Sequence, residues 1–289
     1  MDVGNFKIYD WSIAGTETCM VVVTDGMKIA FDIGYSTCQS VGCDHVFISH
    51  GHMDHVAGLI HHASKRSNMR MKPATYYVPC ILKQSLLVVA EQLSIMHGKE
   101  IDYYKHKAPI EDFKSGQQIK LPKSYFATLF PTVHTIPSQG YILWKVRSKL
   151  KGEYQGLPSN EIASIKKSGI EVTEQQEYPE IAFTGDTTFE CFQLEGNESV
   201  LKVKLLIMEC TYLDDETSIS EAREKGHLHL NELVEHAELF ENVESILLMH
   251  FSLKYSTQQI EELVASKLPE TLKNKVYLAL SAHKNYNCR

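Results

Sequence analysis

Four residues able to ligate a metal fall within six positions, His50, His52, Asp54 and His55, in the stretch FISHGHMDHVAGL. Side chains two apart in an extended chain project to the same side, so His50 and His52 can converge on one ion. Asp54 and His55 follow where the chain turns and can face a second ion a few ångströms away. Three imidazoles and a carboxylate suit zinc, which takes nitrogen and oxygen ligands and keeps an open position when it catalyses. Histidines that only cap the next helix would be the plainer explanation, but capping does not call for four ligand-type residues. Further ligands stand at strand ends: His134 closes YFATLFPTVH, Asp186 follows EIAF in FTGDTT, and His250 closes SILLMH. A histidine after a strand is ordinarily structural; here all three share one arrangement, strand end then polar ligand. Two divalent ions about 3.5–4 Å apart lower the pKa of bound water from roughly 15.7 to about 7 and polarise an ester oxygen, which is hydrolase chemistry.

Gathering these residues takes strands that end along one edge. Period-two and short apolar runs predict strands over 7–13, 19–24, 27–32 and 45–49, with the turn TDG at 24–26. A helix is expected over 56–66, a strand over 75–79 and a helix over 81–97. Strand patterns return over 125–134 and 140–146. Between 147 and 178 the hydrophobic pattern weakens and lysines gather, which predicts an excursion from the core. Strands resume over 180–183 and 203–208, then helix 230–240, strand 245–248, helix 256–266 and strand 276–281. Strands alternating with helices in both halves predict one α/β domain over 1–289, two sheets face to face with helices outside.

Composition narrows the class. No run approaches the roughly 20 apolar residues of a membrane helix. The opening MDVGNFKIYDW reads straight into a strand and resembles neither a signal nor a transit peptide, so the expectation is a mature protein that begins here and stays in the cytosol. Seven cysteines (19, 38, 43, 80, 191, 210, 288) are odd in number and include no CxxC pair, which points to reduced thiols. Net charge is −7, a field that repels nucleic acid, so an RNA substrate requires a local basic patch. Residues 145–167 offer one: Lys145, Arg147, Lys149, Lys151, Lys166 and Lys167 against Glu153 and Glu161, a local +4.

The order His-x-His-x-Asp-His, His, Asp, His resembles that of the metallo-β-lactamase superfamily. AFDIG (30–34), SHGHMDH (49–55), SQGYIL (138–143), FTGDTT (183–188), MECTYLDD (208–215), GHLH (226–229) and HFSLKY (250–255) narrow the resemblance to the ribonuclease Z family, short plant-type form, over about residues 5–281. SHGHMDH alone marks only the superfamily; the ECT, GHLH and HFSLKY elements make the match specific. The resemblance implies a metallo-β-lactamase fold, an αβ/βα four-layer sandwich, and two zinc ions. His50, His52 and His134 would bind the first, Asp54, His55 and His250 the second, with Asp186 bridging. Asp32, ending the AFDIG strand, would support the ligand loops. The implied activity is endonucleolytic removal of the 3′ trailer from precursor tRNA after the discriminator base, leaving a 3′-hydroxyl. Asp54 would act as general base, and Glu209 would orient His227 as proton donor, with His229 the alternative donor. Residues within about 145–178 resemble the family's protruding tRNA-gripping arm, and the resemblance implies a homodimer; beside the cytosolic location read from the opening residues, a nuclear share stays open. One element is missing: a Pro-x-Lys-x-Arg-Asn loop, associated in the family with sensing a mature CCA end, is replaced here by AGTETCMVV. Two rival readings stand beside this one: a glyoxalase II-like thioesterase or phosphodiesterase on the same ligands, and a non-catalytic RNA-binding relative.

Overall fold

A computed structural model describes residues 1–286, so Cys288 lies outside the described residues. Seven strands form a first sheet in the order Asp2–Val3, Phe6–Tyr9, Met20–Thr24, Met27–Phe31, His45–Phe47, Thr75–Pro79 and Ile110–Phe113. Seven more form a second: Ile119–Leu121, Tyr125–Pro131, Gln139–Leu150, Thr173–Phe183, Leu205–Glu209, Ser245–Met249 and Val276–Leu278. Each sheet opens with antiparallel pairings and closes with three parallel ones.

The inner parallel strands Leu205–Glu209 and Ser245–Met249 are buried along their whole length because both of their faces are covered. Phe31, Phe47, Ile181, Phe183, Leu205, Ile207, Leu247 and Met249 point between the sheets. Their neighbours alternate outward: Ala30 and Val46 pack under helices Leu59–Asn68 and Cys80–Met96. Leu206, Met208, Ile246 and Leu248 pack under helix Thr257–Lys267. Phe31 and Phe183 stack across the middle with ring centroids 4.9 Å apart. The result is helix, sheet, sheet, helix, the expected four layers. No described helix is long and apolar enough to cross a membrane.

Several boundaries differ from expectation, each for a local reason. The strand expected over 7–13 is broken at the buried Asp10, whose carboxylate accepts from the Ser281 amide at 2.8 Å. Ser12–Ile13 then leaves the sheet to pair with Glu17–Thr18. The same bond starts helix Ser281–Tyr286 where the last strand was expected to continue. The helix expected over 56–66 is two, Met53–Val56 and Leu59–Asn68, separated at Gly58, whose amide is taken by Ile33 O at 2.8 Å. The helix expected over 230–240 ends at Glu235 and tightens into a 3₁₀ turn over Ala237–Phe240.

The excursion over 147–178 is a two-stranded ribbon with a helix, Ser159–Lys167, at its tip. Beyond Val146 its strands pair with each other alone, and the helix buries none of its residues. Both ribbon faces meet water, which is why the apolar pattern fades. The fold also corrects the charge count. The return strand and its approach carry Glu171, Glu174 and Glu177, so 145–178 holds six basic and five acidic residues, 6 − 5 = +1 rather than +4. Lys149 sits in register opposite Glu174.

Candidate metal centre

Every ligand-type residue singled out above lies just past the carboxyl end of a strand, and those ends share one edge of the two sheets. Open α/β sheets place their crevices there. His45–Phe47 leads to His50, His52, Asp54 and His55; Tyr125–Pro131 leads to His134; Thr173–Phe183 to Asp186; Ser245–Met249 to His250. The Gly185 turn ahead of Asp186 has φ +60°, and a Cβ there would stand 2.4 Å from Ser49 Cβ, so only glycine fits.

The cluster has two halves. His50, His52, His134 and Asp186 offer one set of donor atoms, Asp54, His55, Asp186 and His250 the other, with the atoms of each set within 4.8 Å of one another. Asp186 belongs to both: its Oδ2 lies 3.7 Å from His50 Nε2, 3.2 Å from His55 Nε2 and 3.4 Å from His250 Nε2. Asp54 Oδ2 stands 3.3 Å from both His55 Nε2 and His250 Nε2. Asp186 Oδ1 is buried and has no hydrogen-bond partner. A buried, unpartnered carboxylate oxygen costs free energy that a cation would relieve, so the donor set fits a divalent metal.

Outer contacts aim the imidazoles inward. His50 Nδ1 meets Ser49 Oγ at 2.9 Å, His55 Nδ1 meets Asp32 Oδ2 at 2.6 Å, His134 Nδ1 donates to Gly226 O at 2.8 Å, and His250 Nδ1 meets Thr211 Oγ1 at 3.1 Å. Each such bond fixes the ring and leaves Nε2 toward the cluster. Asp32, at φ +57°, also accepts from the Ser49 amide at 2.7 Å, so one carboxylate braces two neighbours of the ligand loop. Ser49 and Thr211 were not assigned from sequence, although both stand inside the quoted motifs.

Electrostatics follow from this packing. Burial and the neighbouring His55 push His50 down to about 2, leaving a neutral imidazole. Burial would lower His55 too, but the carboxylates of Asp186 and Asp32 hold it well above its ordinary value. Burial would raise Asp54, yet hydrogen bonds from His250 and His55 hold it well below the usual carboxylate range. Gly15 N adds a bond to Asp54 Oδ2 at 2.9 Å, from the segment that replaces the absent Pro-x-Lys-x-Arg-Asn loop.

Beside the cluster stands a second pair. His227 lies with its ring centroid 5.4 Å from those of both His134 and His250. Its Nδ1 meets Oε1 of Glu209, which is fully buried and also accepts from Thr187 N and Thr211 Oγ1. Burial lowers His227, but the Glu209 carboxylate outweighs it and raises the group to about 9. His229 points elsewhere: its Nδ1 caps helix Leu230–Glu235 through Asn231 N and its Nε2 donates to Asp214 O at 2.7 Å. Of the two histidines in GHLH, only His227 joins the cluster.

The six arm cations divide. Lys145 pairs with Asp25 and lies 4.3 Å over the Tyr125 ring; Arg147 bonds Glu180 at 2.6 Å. Both are tied down at the root of the ribbon. Lys149, Lys166 and Lys167 are exposed and Lys151 half-buried.

A model of the Beta-lactamase superfamily domain matches residues 36–251. Arabidopsis thaliana tRNase Z TRZ1 is 41% identical over 277 residues, covering 96% of each chain. A Triticum aestivum protein named nuclear ribonuclease Z is 35% identical over 173 residues, 60% of this chain and 94% of that one. Among solved structures, human tRNase Z short form (ELAC1) superposes with a TM-score of 0.59 at 17% identity, covering 95% of each chain.

Proposed function

The chain belongs to the tRNase Z family of the β-lactamase superfamily, and from that premise we propose a metal-dependent endoribonuclease acting on precursor tRNA. It cuts after the discriminator base, leaving a tRNA 3′-hydroxyl and a trailer with a 5′-phosphate. One observation carries the site assignment: a donor cluster joined through Asp186 lies beside an imidazole braced by a buried carboxylate. A thioesterase on the same ligands would need neither the Glu209–His227 pair nor the ribbon.

His50, His52 and His134 would hold one cation, Asp54, His55 and His250 a second, and Asp186 both. Imidazole nitrogens with carboxylate oxygens favour two zinc ions. When bound, the cations supply Lewis acidity toward a phosphodiester oxygen and lower the pKa of water. The chain's own groups do the rest. Asp54, kept ionised by its histidine neighbours, takes the proton of the attacking water. Glu209 holds His227 by Nδ1, which leaves the Nε2 proton free for the departing 3′-oxygen. Asp32 keeps the ligand loop in place.

Residues 1–289 make one domain in this reading, and the ribbon within about 145–178 grips the body of tRNA. Lys149, Lys151, Lys166 and Lys167 supply the grip, because Lys145 and Arg147 are spent on the ribbon's root. Self-association into a homodimer is supported by helix Cys80–Met96. Its exposed positions include Ile81, Val88, Val89, Ile95 and Met96, and none is charged. The six described cysteines are free, which supports a reducing compartment; we place the protein in the cytoplasm, with a nuclear share as in the name of the wheat relative.

Asp54→Ala tests the reading. Cleavage of a 3′-extended precursor tRNA is expected to be lost while tRNA binding persists. Wild-type turnover by that variant, or turnover of a thioester instead of the precursor, would overturn it.

A further inference from the structure

Tyr212 belongs to MECTYLDD and Lys254 to HFSLKY, and neither has a part in the chemistry described above. The fold brings them together with GHLH. Tyr212 O accepts from Leu230 N at 2.8 Å, which fixes the residue beside the loop that bears His227. The half-buried Tyr212 ring meets the His227 ring edge-on, centroids 6.2 Å apart. Two ammonium groups flank it: Lys225 Nζ at 5.1 Å and Lys254 Nζ at 5.9 Å from its centroid. Lys254 is held by Asp214 at 2.9 Å. Lys225 is exposed and forms no ion pair among the described residues, and Glu221, whose carboxylate feels its charge, is itself bonded to Ser218, so the ammonium can turn to an incoming anion.

An aromatic face with a free ammonium beside it suits a nucleotide: the ring takes the base and the cation takes phosphate. The location says which nucleotide. A proton donor must reach the departing 3′-oxygen, so the sugar bearing that oxygen lies on the His227 side of the cluster, where Tyr212 stands. A chain of net charge −7 whose ribbon is only +1 also needs a cation near the cut that no ion pair holds. We propose that Tyr212 and Lys225 seat the nucleotide whose 3′-oxygen departs. Tyr212 stacks its base, and Lys225 swings off the ring to the phosphate on that nucleotide's 5′ side. Lys254, pinned by Asp214, keeps the ring in place. Stacking accepts any base, so the seat holds position without reading sequence. The assignment rests on the nuclease reading above, since His227 as donor identifies the nucleotide.

The experiment compares a precursor tRNA with one lacking the base at the nucleotide 5′ to the cut, on wild type, Tyr212→Leu, Tyr212→Phe and Lys225→Gln. Wild type is expected to lose roughly tenfold to a hundredfold in kcat/KM on the abasic substrate, the scale of one stacking contact. Tyr212→Leu loses a similar factor on the intact substrate and nothing further on the abasic one; Tyr212→Phe keeps the wild-type pattern. Lys225→Gln lowers the salt slope of log kcat/KM by about 0.7, one single-strand phosphate contact. Should Tyr212→Leu fail to fold, the wild-type abasic ratio and the Lys225→Gln slope decide. An active wild type indifferent to the missing base, or a Tyr212→Leu variant that still distinguishes the two substrates, overturns the seat alone. A wild type inert on the intact precursor overturns the nuclease reading and the seat with it.

Discussion

His227 Nδ1 lies 2.9 Å from Glu209 Oε1, and the carboxylate making that contact is fully buried. A carboxylate so placed fixes the tautomer of the ring and favours its protonated form, the arrangement a proton donor needs. His227→Ala is expected to lower kcat by roughly a hundredfold to ten-thousandfold, the usual contribution of a positioned acid. A substrate with sulfur in place of the departing 3′-oxygen leaves without a proton, so the defect should shrink on it. An equal defect on both substrates would remove His227 from the role of acid.

The pH profile carries a second expectation. Burial lowers His227 and the nearby Glu209 carboxylate raises it further, to about 9. A group raised in the fold keeps its proton below that value and loses it above, so kcat should fall as pH rises through the limb His227 sets. Bound cations nearby move that limb to lower pH by like-charge repulsion. Glu209→Gln removes the carboxylate charge and should shift it lower still. A limb that stays in place in Glu209→Gln would show that another group titrates.

Asp32 touches no donor atom of the cluster directly but bonds His55 Nδ1 at 2.6 Å and the Ser49 amide at 2.7 Å. Asp32→Asn is therefore expected to weaken metal binding about 10- to 100-fold, as loss of a bracing partner does. Equilibrium dialysis against a graded chelator reads this without any activity assay. Unchanged affinity would limit Asp32 to folding.

Much of this candidate centre is legible in the sequence because its ligand-type residues follow strands whose apolar runs are strong, and because His50, His52, Asp54 and His55 are nearly contiguous. What is hidden depends on long-range geometry. His227 and His229 flank Leu228 and differ only in which way the fold turns them, one to Glu209 and one to the carbonyl of Asp214. The ribbon looks strongly basic over 145–167 because its balancing acids, Glu171, Glu174 and Glu177, lie on the returning strand and its approach. Strand 7–13 reads as continuous because Asp10 finds its partner, Ser281, only in three dimensions.

The ribbon lysines should act on binding alone. Replacing Lys149, Lys151, Lys166 and Lys167 together by Gln is expected to raise KM and flatten its salt dependence, each lost phosphate contact removing roughly 0.7–0.9 from the slope. kcat should hold, since none approaches the cluster. Lys145→Gln and Arg147→Gln should leave the slope unchanged, because Asp25 and Glu180 already occupy those charges. An unaltered KM in the fourfold variant would take tRNA off the ribbon.

The most direct measurement maps the cut on a 3′-extended precursor tRNA before chelation, after chelation and after zinc is returned, with bound metal counted in parallel. The expected result is one cut after the discriminator base, leaving a 3′-hydroxyl, that vanishes on chelation and returns with about two ions per chain. Cleavage persisting at that position in metal-stripped protein would contradict the assignment of the cluster joined through Asp186.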